Sequence, residues 1–250
     1  MSEVNVTQGM QELLSRLPKT ETHTLRSVLN PEYTREHIAL SLTPGNVLRA
    51  LFAAREAREL AVSWRDFKVG AAVVGMTFQP SGMRFMTCAN VKPDEDSTMN
   101  VHAEQVALQK ARDRNFDAVS IVAVVGETQS DTQSGNEMHT LHPCGLCRAV
   151  MLKDALVDPK ASLIVSALPD FTKIELYNLD SLHAFHTTND STGIHKFELP
   201  HLKMFEPAPT NVSEYILEDT PESVHEERIW NGTIGTYVAN RRFDIMNSLN

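Results

Sequence analysis

Cysteine is scarce in this chain. Its 250 residues hold three, Cys88, Cys144 and Cys147, and so small and odd a number excludes a disulfide framework. Long apolar runs are missing too. The longest strongly apolar one, Ile121 to Val125, is far too short to cross a bilayer, so no membrane partner is expected. The opening Met1-Ser2-Glu3-Val4-Asn5 has no basic region followed by an apolar stretch, which argues against a signal peptide and for a cytoplasmic protein. Without a secretory route, Asn5-Val6-Thr7, Asn211-Val212-Ser213 and Asn231-Gly232-Thr233 are chance matches to glycosylation acceptors. Positive charge is in deficit as well: Lys and Arg number 23 against 32 Asp and Glu, for a formal net charge of −9. A grip on long nucleic acid needs a basic face that displaces counterions. The total argues against such a face, though not against a small local patch, and a small-molecule substrate fits better.

The remaining composition is that of an ordinary globular chain, 42% hydrophobic and 22% charged, long enough to bury a sizeable core. Leu13-Leu14 with Leu17, His23 to Leu29, and Pro31 to Leu42 predict short helices in an N-terminal helical extension over residues 1–43. Thr43-Pro44 starts a longer helix, a capping hydroxyl followed by a proline whose missing N–H costs nothing there. It is expected to run to about Val62, with Val47, Leu48, Leu51, Phe52 and Leu60 as its apolar stripe. Val69 to Thr77 and Met83 to Asn90 read as strands around a turn at Gln79-Pro80-Ser81-Gly82. A helix over Val101 to Arg112, an all-apolar strand over Ala118 to Gly126 and a long polar loop to Leu141 come next. A helix over Cys144 to Leu156, strands at Ala161–Ala167 and Phe171–Leu176, and a short helix at Leu179–Phe185 complete the series. The order α-β-β-α-β-α-β-β predicts the α/β class. Residues 187–250 are expected to form a tail that packs on the core or a neighbouring subunit. No internal repeat is present.

Chemistry concentrates in one stretch. His102-Ala103-Glu104 is followed, after 38 intervening residues, by Pro143-Cys144-Gly145-Leu146-Cys147. Zinc takes nitrogen and sulfur donors tetrahedrally, and a catalytic site draws three from the protein and leaves the fourth place to water. His102, Cys144 and Cys147 would be those three, with the cysteines three apart on one helix face. Glu104 would sit beside the open place as a proton carrier; a first-turn acid that stabilises the helix dipole is the plainer alternative. A redox pair is the alternative for Cys144 and Cys147, but such a pair needs neither a His-x-Glu partner nor the preceding proline. Cys88 reads as a small hydrophobe on a strand. His139 and His142 are weaker metal candidates, and the proline that follows His142 should keep that residue extended. His225-Glu226-Glu227 repeats the His-x-Glu spacing with no cysteine after it, which makes it a decoy.

Five segments, in order, resemble the zinc-dependent cytidine deaminase family: Phe67-Lys68-Val69-Gly70-Ala71-Ala72, Cys88-Ala89-Asn90, Val101-His102-Ala103-Glu104-Gln105, Pro143-Cys144-Gly145-Leu146-Cys147-Arg148 and Leu182-His183-Ala184-Phe185. The resemblance spans roughly residues 44–186. It implies a three-layer α-β-α fold around a mixed, roughly five-stranded sheet, with 1–43 as helical extension, 44–186 as catalytic domain and 187–250 as tail. It implies Zn2+ as cofactor and Glu104 as the catalytic residue. The reaction would be hydrolytic deamination of a cytosine-type nucleoside, cytidine or deoxycytidine, to its uracil counterpart and ammonia. Phe67, Asn90, Ala103 and Phe185 would touch the substrate, with Phe67 stacking on its ring. Pro143 and Arg148 would support the ligands, Arg148 by a hydrogen bond to a thiolate, with a surface arginine as the alternative. The small residues Gly70, Ala71 and Ala72 admit a close neighbour, either a packed helix or, as the resemblance implies, the pyrimidine. A homotetramer or homodimer with sites completed across subunits is implied as well.

This chain also departs from the family pattern. Lys92 stands where a glutamate usually follows the asparagine by two positions, the run from Asn90 to His102 is one residue longer, and Ala149 replaces the common glutamine. A lysine cannot accept a hydroxyl proton, but it can pair with a phosphate or carboxylate. Two further readings therefore stay open: a deaminase of a modified or non-standard cytosine compound, such as an antibiotic nucleoside or a nucleotide, and a catalytically silent zinc-binding homologue.

Overall fold

The computed structural model describes residues 31–78, 81–94, 100–128, 139–202 and 221–249. The helices expected before Pro31, the tip of the turn at Gln79-Pro80 and the middle of the polar loop lie outside them. Helices α1 (Pro31–Ser41) and α2 (Pro44–Arg58) lead into β1 (Val62–Ser63), β2 (Val69–Phe78), β3 (Ser81–Ala89) and β4 (Val91–Lys92). After these come α3 (Ala103–Asp113), β5 (Ala118–Gly126), α4 (Gly145–Lys153), β6 (Leu163–Ala167), β7 (Lys173–Tyr177), α5 (Leu179–Thr188) and β8 (His195–Glu198). At the end, α6 (Pro221–Trp230) continues through a π-helical turn at Asn231–Gly235 into α7 (Thr236–Asn247). The main sheet has six strands in the order β3-β2-β5-β6-β7-β8. β5 and β6 are parallel and every other neighbouring pair is antiparallel. This is the expected α/β fold, a mixed sheet flanked by helices. The strand beyond the expected five is β8, whose His195-Lys196-Phe197-Glu198 is too short and polar to read as a strand, yet pairs along the open edge of β7.

Alternation along each strand sorts side chains onto two faces. On one face Ala72, Val74, Ile121 and Val165 pack with Leu51 of α2 and with Trp230, Ile234 and Val238 from the C-terminal helices. On the other, Ala71, Val73, Val122 and Ile164 meet Ala107 and Leu108 of α3, Met151 of α4 and Leu182 of α5. β5 lies between them and is buried at all nine positions, which is why its sequence is continuously apolar. Arg35 of α1 donates to Asp158 at 2.7 Å, fastening the first helix to the far end of the sheet layer.

Two local expectations are corrected. Thr43 does cap α2, accepting from the Asn46 N–H at 3.2 Å, but the helix ends at Arg58 rather than near Val62. Val62 instead pairs in parallel with Val91, a contact available only once the chain has turned. Leu60, read as part of the apolar stripe, is therefore 78% exposed. The strand expected from Phe171 begins at Lys173. Phe171 has a left-handed backbone (φ 57°), with its N–H bonded to the Leu168 carbonyl and its side chain buried.

The close neighbour of Gly70 is helix α2. A Cβ built there would lie 1.9 Å from the Ala54 carbonyl oxygen and 2.5 Å from the Arg58 nitrogen, both backbone atoms that cannot step aside. Gly70→Ala should therefore destabilise the fold at or beyond the upper end of the roughly 1–3 kcal/mol that overpacking costs. Urea unfolding is the measurement. A stable variant with impaired turnover would return Gly70 to the substrate.

Candidate metal centre

Two helices begin side by side. His102 (φ −93°, ψ 137°) and Cys144 (φ −66°, ψ 167°) occupy the N-cap positions of α3 and α4, both extended, and Cys147 lies in the first turn of α4. Nδ1 of His102 is 3.3 Å from Cys144 Sγ and 3.4 Å from Cys147 Sγ, and the two sulfurs are 3.5 Å apart. A tetrahedral zinc ion, with bonds of about 2.3 Å to sulfur and about 2.0–2.1 Å to nitrogen, spaces its donors about 3.5–3.8 Å apart. The cluster fits zinc in donor type, number and spacing. Among the described residues it is the one group in which three metal-binding side chains converge.

The three groups share protons and charge. The hydrogen bond between the two sulfurs, together with His102, holds Cys144 down to about 3 against the opposing effect of burial. That same bond, with burial, pushes Cys147 up. Cys144 in turn raises His102. A thiolate is the form that binds a cation, and the N-terminal ends of α3 and α4 add partial positive charge that favours it.

Glu104, in the first turn of α3, is 5% exposed, and burial pushes its carboxyl up. It faces a cavity of about 320 Å³ together with His102, Cys144, Phe67, Lys92 and Arg148. Ala103 and Pro143 border the same space. Lys92 reaches it because Val91 and Val101 exchange backbone hydrogen bonds of 3.0 and 2.7 Å, which lay β4 beside the residues before α3. Its Nζ lies 5.4 Å from the centroid of the Phe67 ring.

Asn90 lines this cavity as well, and its side chain bonds to backbone at both ends, accepting from the Val69 N–H at 2.7 Å and donating to the Phe67 carbonyl at 2.9 Å. It welds the start of β2 to β4 and keeps one further N–H. Arg148 donates to the Pro143 carbonyl at 2.8 Å, where a bond to a thiolate was expected. Phe185 is 3% exposed and does not line the cavity; it packs edge-on behind His142 at 5.3 Å. Cys88 is half-buried on β3, apart from the ligands. His139 lies 3.6 Å from Glu198, and His225 is exposed on α6.

Three residues escaped the sequence: His186, which lines the cavity, and Thr140 and Glu175, which bond to each other behind it. Glu175 alternates with Ile174 and Leu176 as the wet side of a half-buried strand would. It is nevertheless fully buried, against Thr140, His142 and Lys196.

Residues 47–157 match the family described as the cytidine and deoxycytidylate deaminase zinc-binding region. Among solved structures, cytidine deaminase from Burkholderia pseudomallei is similar at 26% identity over 54% of this chain and 93% of that one, with a TM-score of 0.42. Cytidine deaminase from Mycobacterium leprae is similar at 18% identity over 54% and 93%, with a TM-score of 0.36. For the enzyme from Mycobacterium tuberculosis the values are 21%, 50%, 82% and 0.33. No curated protein matches the chain significantly.

Proposed function

We propose that this chain, whose residues 47–157 match the cytidine and deoxycytidylate deaminase zinc-binding region, hydrolyses the exocyclic amine of a cytosine-type nucleoside, turning cytidine or deoxycytidine into its uracil counterpart and ammonia. The observation that carries this reading is the convergence of His102, Cys144 and Cys147 at the wall of a cavity that also takes in Glu104. His102 Nδ1 and the two sulfurs would hold the zinc. Bound there, zinc would supply the Lewis acidity that lowers a water's pKa to about 7. Glu104 would accept a proton from that water on its carboxylate, deliver it to ring N3, and carry a second proton to the departing amine, so that ammonia leaves as the C4 carbonyl forms. Phe67 would stack on the ring, and Ala103, too small to block it, would leave room beside the helix start. Asn90 would act chiefly by fixing Phe67. In this reading residues 44–186 form the catalytic domain, 1–43 an N-terminal extension and 187–250 a tail on the core or a neighbouring subunit, and the protein works as a homotetramer or homodimer.

The test is ammonia release and loss of cytidine absorbance by zinc-loaded protein. Zinc binding without ammonia from any member of a broad aminopyrimidine panel would establish a silent binding protein instead.

Lys92 favours a second reading, a cytosine compound that carries an anionic group. The amine of Lys92 lines the cavity with Arg148, against the single carboxylate of Glu104. Lys92→Glu should then raise kcat/KM on plain cytidine by about tenfold or more, the order of one hydrogen bond to a charged group, and lower it on a phosphorylated analogue. Unchanged kinetics on both would put Lys92 outside the substrate's reach.

A further inference from the structure

Glu175 is a carboxylate where packing alone would place an apolar side chain. It is fully buried on β7, on the same strand face as Tyr177, between Ile174 and Leu176 of the opposite core. Taking a charge out of water is costly, and a well-packed apolar residue of similar volume often serves stability as well or better. A buried break with the local pattern points to function.

The partners of Glu175 indicate which function. One oxygen, Oε2, accepts from the Thr140 N–H at 3.1 Å, from the Thr140 hydroxyl, and from His142 Nε2 at 2.9 Å. The other, Oε1, has no hydrogen bond and lies 3.9 Å from Lys196 Nζ. Burial alone would push this carboxyl up, but His142, Thr140 and Lys196 outweigh it and hold it low, so it stays an acceptor. Every donor to Oε2 thus comes from Thr140 or His142, on the segment that ends in Pro143-Cys144.

That segment has no regular structure of its own. His102 is placed by α3 and by the Val91–Val101 pairing, and Cys147 by the first turn of α4. Cys144 is approached through residues 139–143, which have no regular pairing to hold them. His142 is clamped further by edge-on contact with Tyr177 at 5.1 Å and by a 3.3 Å contact between its Nδ1 and His186 Nε2, at the cavity wall.

We propose that Glu175 is a positioning residue for the metal centre: through Thr140 and His142 it fixes the extended segment that presents Cys144. This rests on the zinc centre described above. Residues that orient a metal's ligands typically carry a 10–100-fold share of metal affinity.

The experiment is zinc affinity by competition with a chromophoric chelator, beside the thermal midpoint of each variant without added zinc. Glu175→Leu, which removes the acceptor but keeps the bulk, should weaken zinc binding about 10–100-fold. Glu175→Gln keeps an oxygen that can take the place of Oε2 and should restore most of the affinity. Should the leucine variant fail to fold, Thr140→Val removes one donor isosterically and should weaken zinc binding several-fold. A purely structural role would lower the thermal midpoint and leave zinc affinity alone. Affinities within twofold of the unaltered chain in every folded variant overturn the proposal and leave the zinc centre standing. An unaltered chain that takes up no zinc removes the metal reading and this proposal with it.

Discussion

Glu104→Gln is expected to lower kcat by about 10²–10⁴-fold, the usual share of a placed proton carrier, while zinc content and unfolding midpoint stay near those of the unaltered protein. Glutamine keeps the volume and one acceptor oxygen but cannot take up a proton and pass it on. Glu104 is suited to that task, because it lines the cavity beside the metal ligands and burial raises its carboxyl. KM should change little or fall, since the amide still fills the same place in the wall. The plainer account, an acid that stabilises the start of α3, predicts a different pattern. Losing a first-turn charge would cost about 0.3–1 kcal/mol of stability and leave the chemical step intact. A kcat within threefold of the unaltered enzyme, alongside a lowered midpoint, would decide for the helix.

The metal centre was legible because its chemistry dictates both residue type and spacing. Few arrangements other than a zinc site call for an imidazole, two thiols three apart and a proline before them, so His102, Cys144 and Cys147 could be picked out before any contact was known. The long apolar run of β5 was legible for a similar reason, being covered on both faces. What escaped depends on contacts between distant segments. Leu60 carried the period of a helix that had already ended, because the pairing of Val62 with Val91 is invisible locally. Asn90 sits in the expected place, yet its amide is bonded to the backbone of Phe67 and Val69. Phe185 packs edge-on against His142 and does not line its own chain's cavity. Glu175 is buried against Thr140 and His142, more than thirty positions earlier in the chain. Spacing reveals the ligands; which groups hold them steady emerges only from the packing.

Stripping the zinc should abolish ammonia release without unfolding the protein. The fold has two cores, one on each face of a six-stranded sheet, and the ligand-bearing helices are anchored by apolar residues of their own: Ala107, Leu108 and Ala111 in α3, and Met151 in α4. A small zinc module with no such core unfolds when its metal is removed. Here the metal adds stability by linkage only, about 2.7 kcal/mol at a free concentration one hundred times Kd. For a chain of this size that corresponds to roughly 5–11 °C in the thermal midpoint, at about 2–4 °C per kcal/mol. Cys147→Ser isolates the same effect without a chelator. It keeps a small side chain in the buried position and leaves two donors, too few to hold the ion, so turnover and the zinc-dependent rise in midpoint should vanish together. Calorimetry with and without added zinc, beside an ammonia assay, reads both. Turnover that survives chelation would remove zinc from the chemistry, whereas unfolding on chelation would make its role structural.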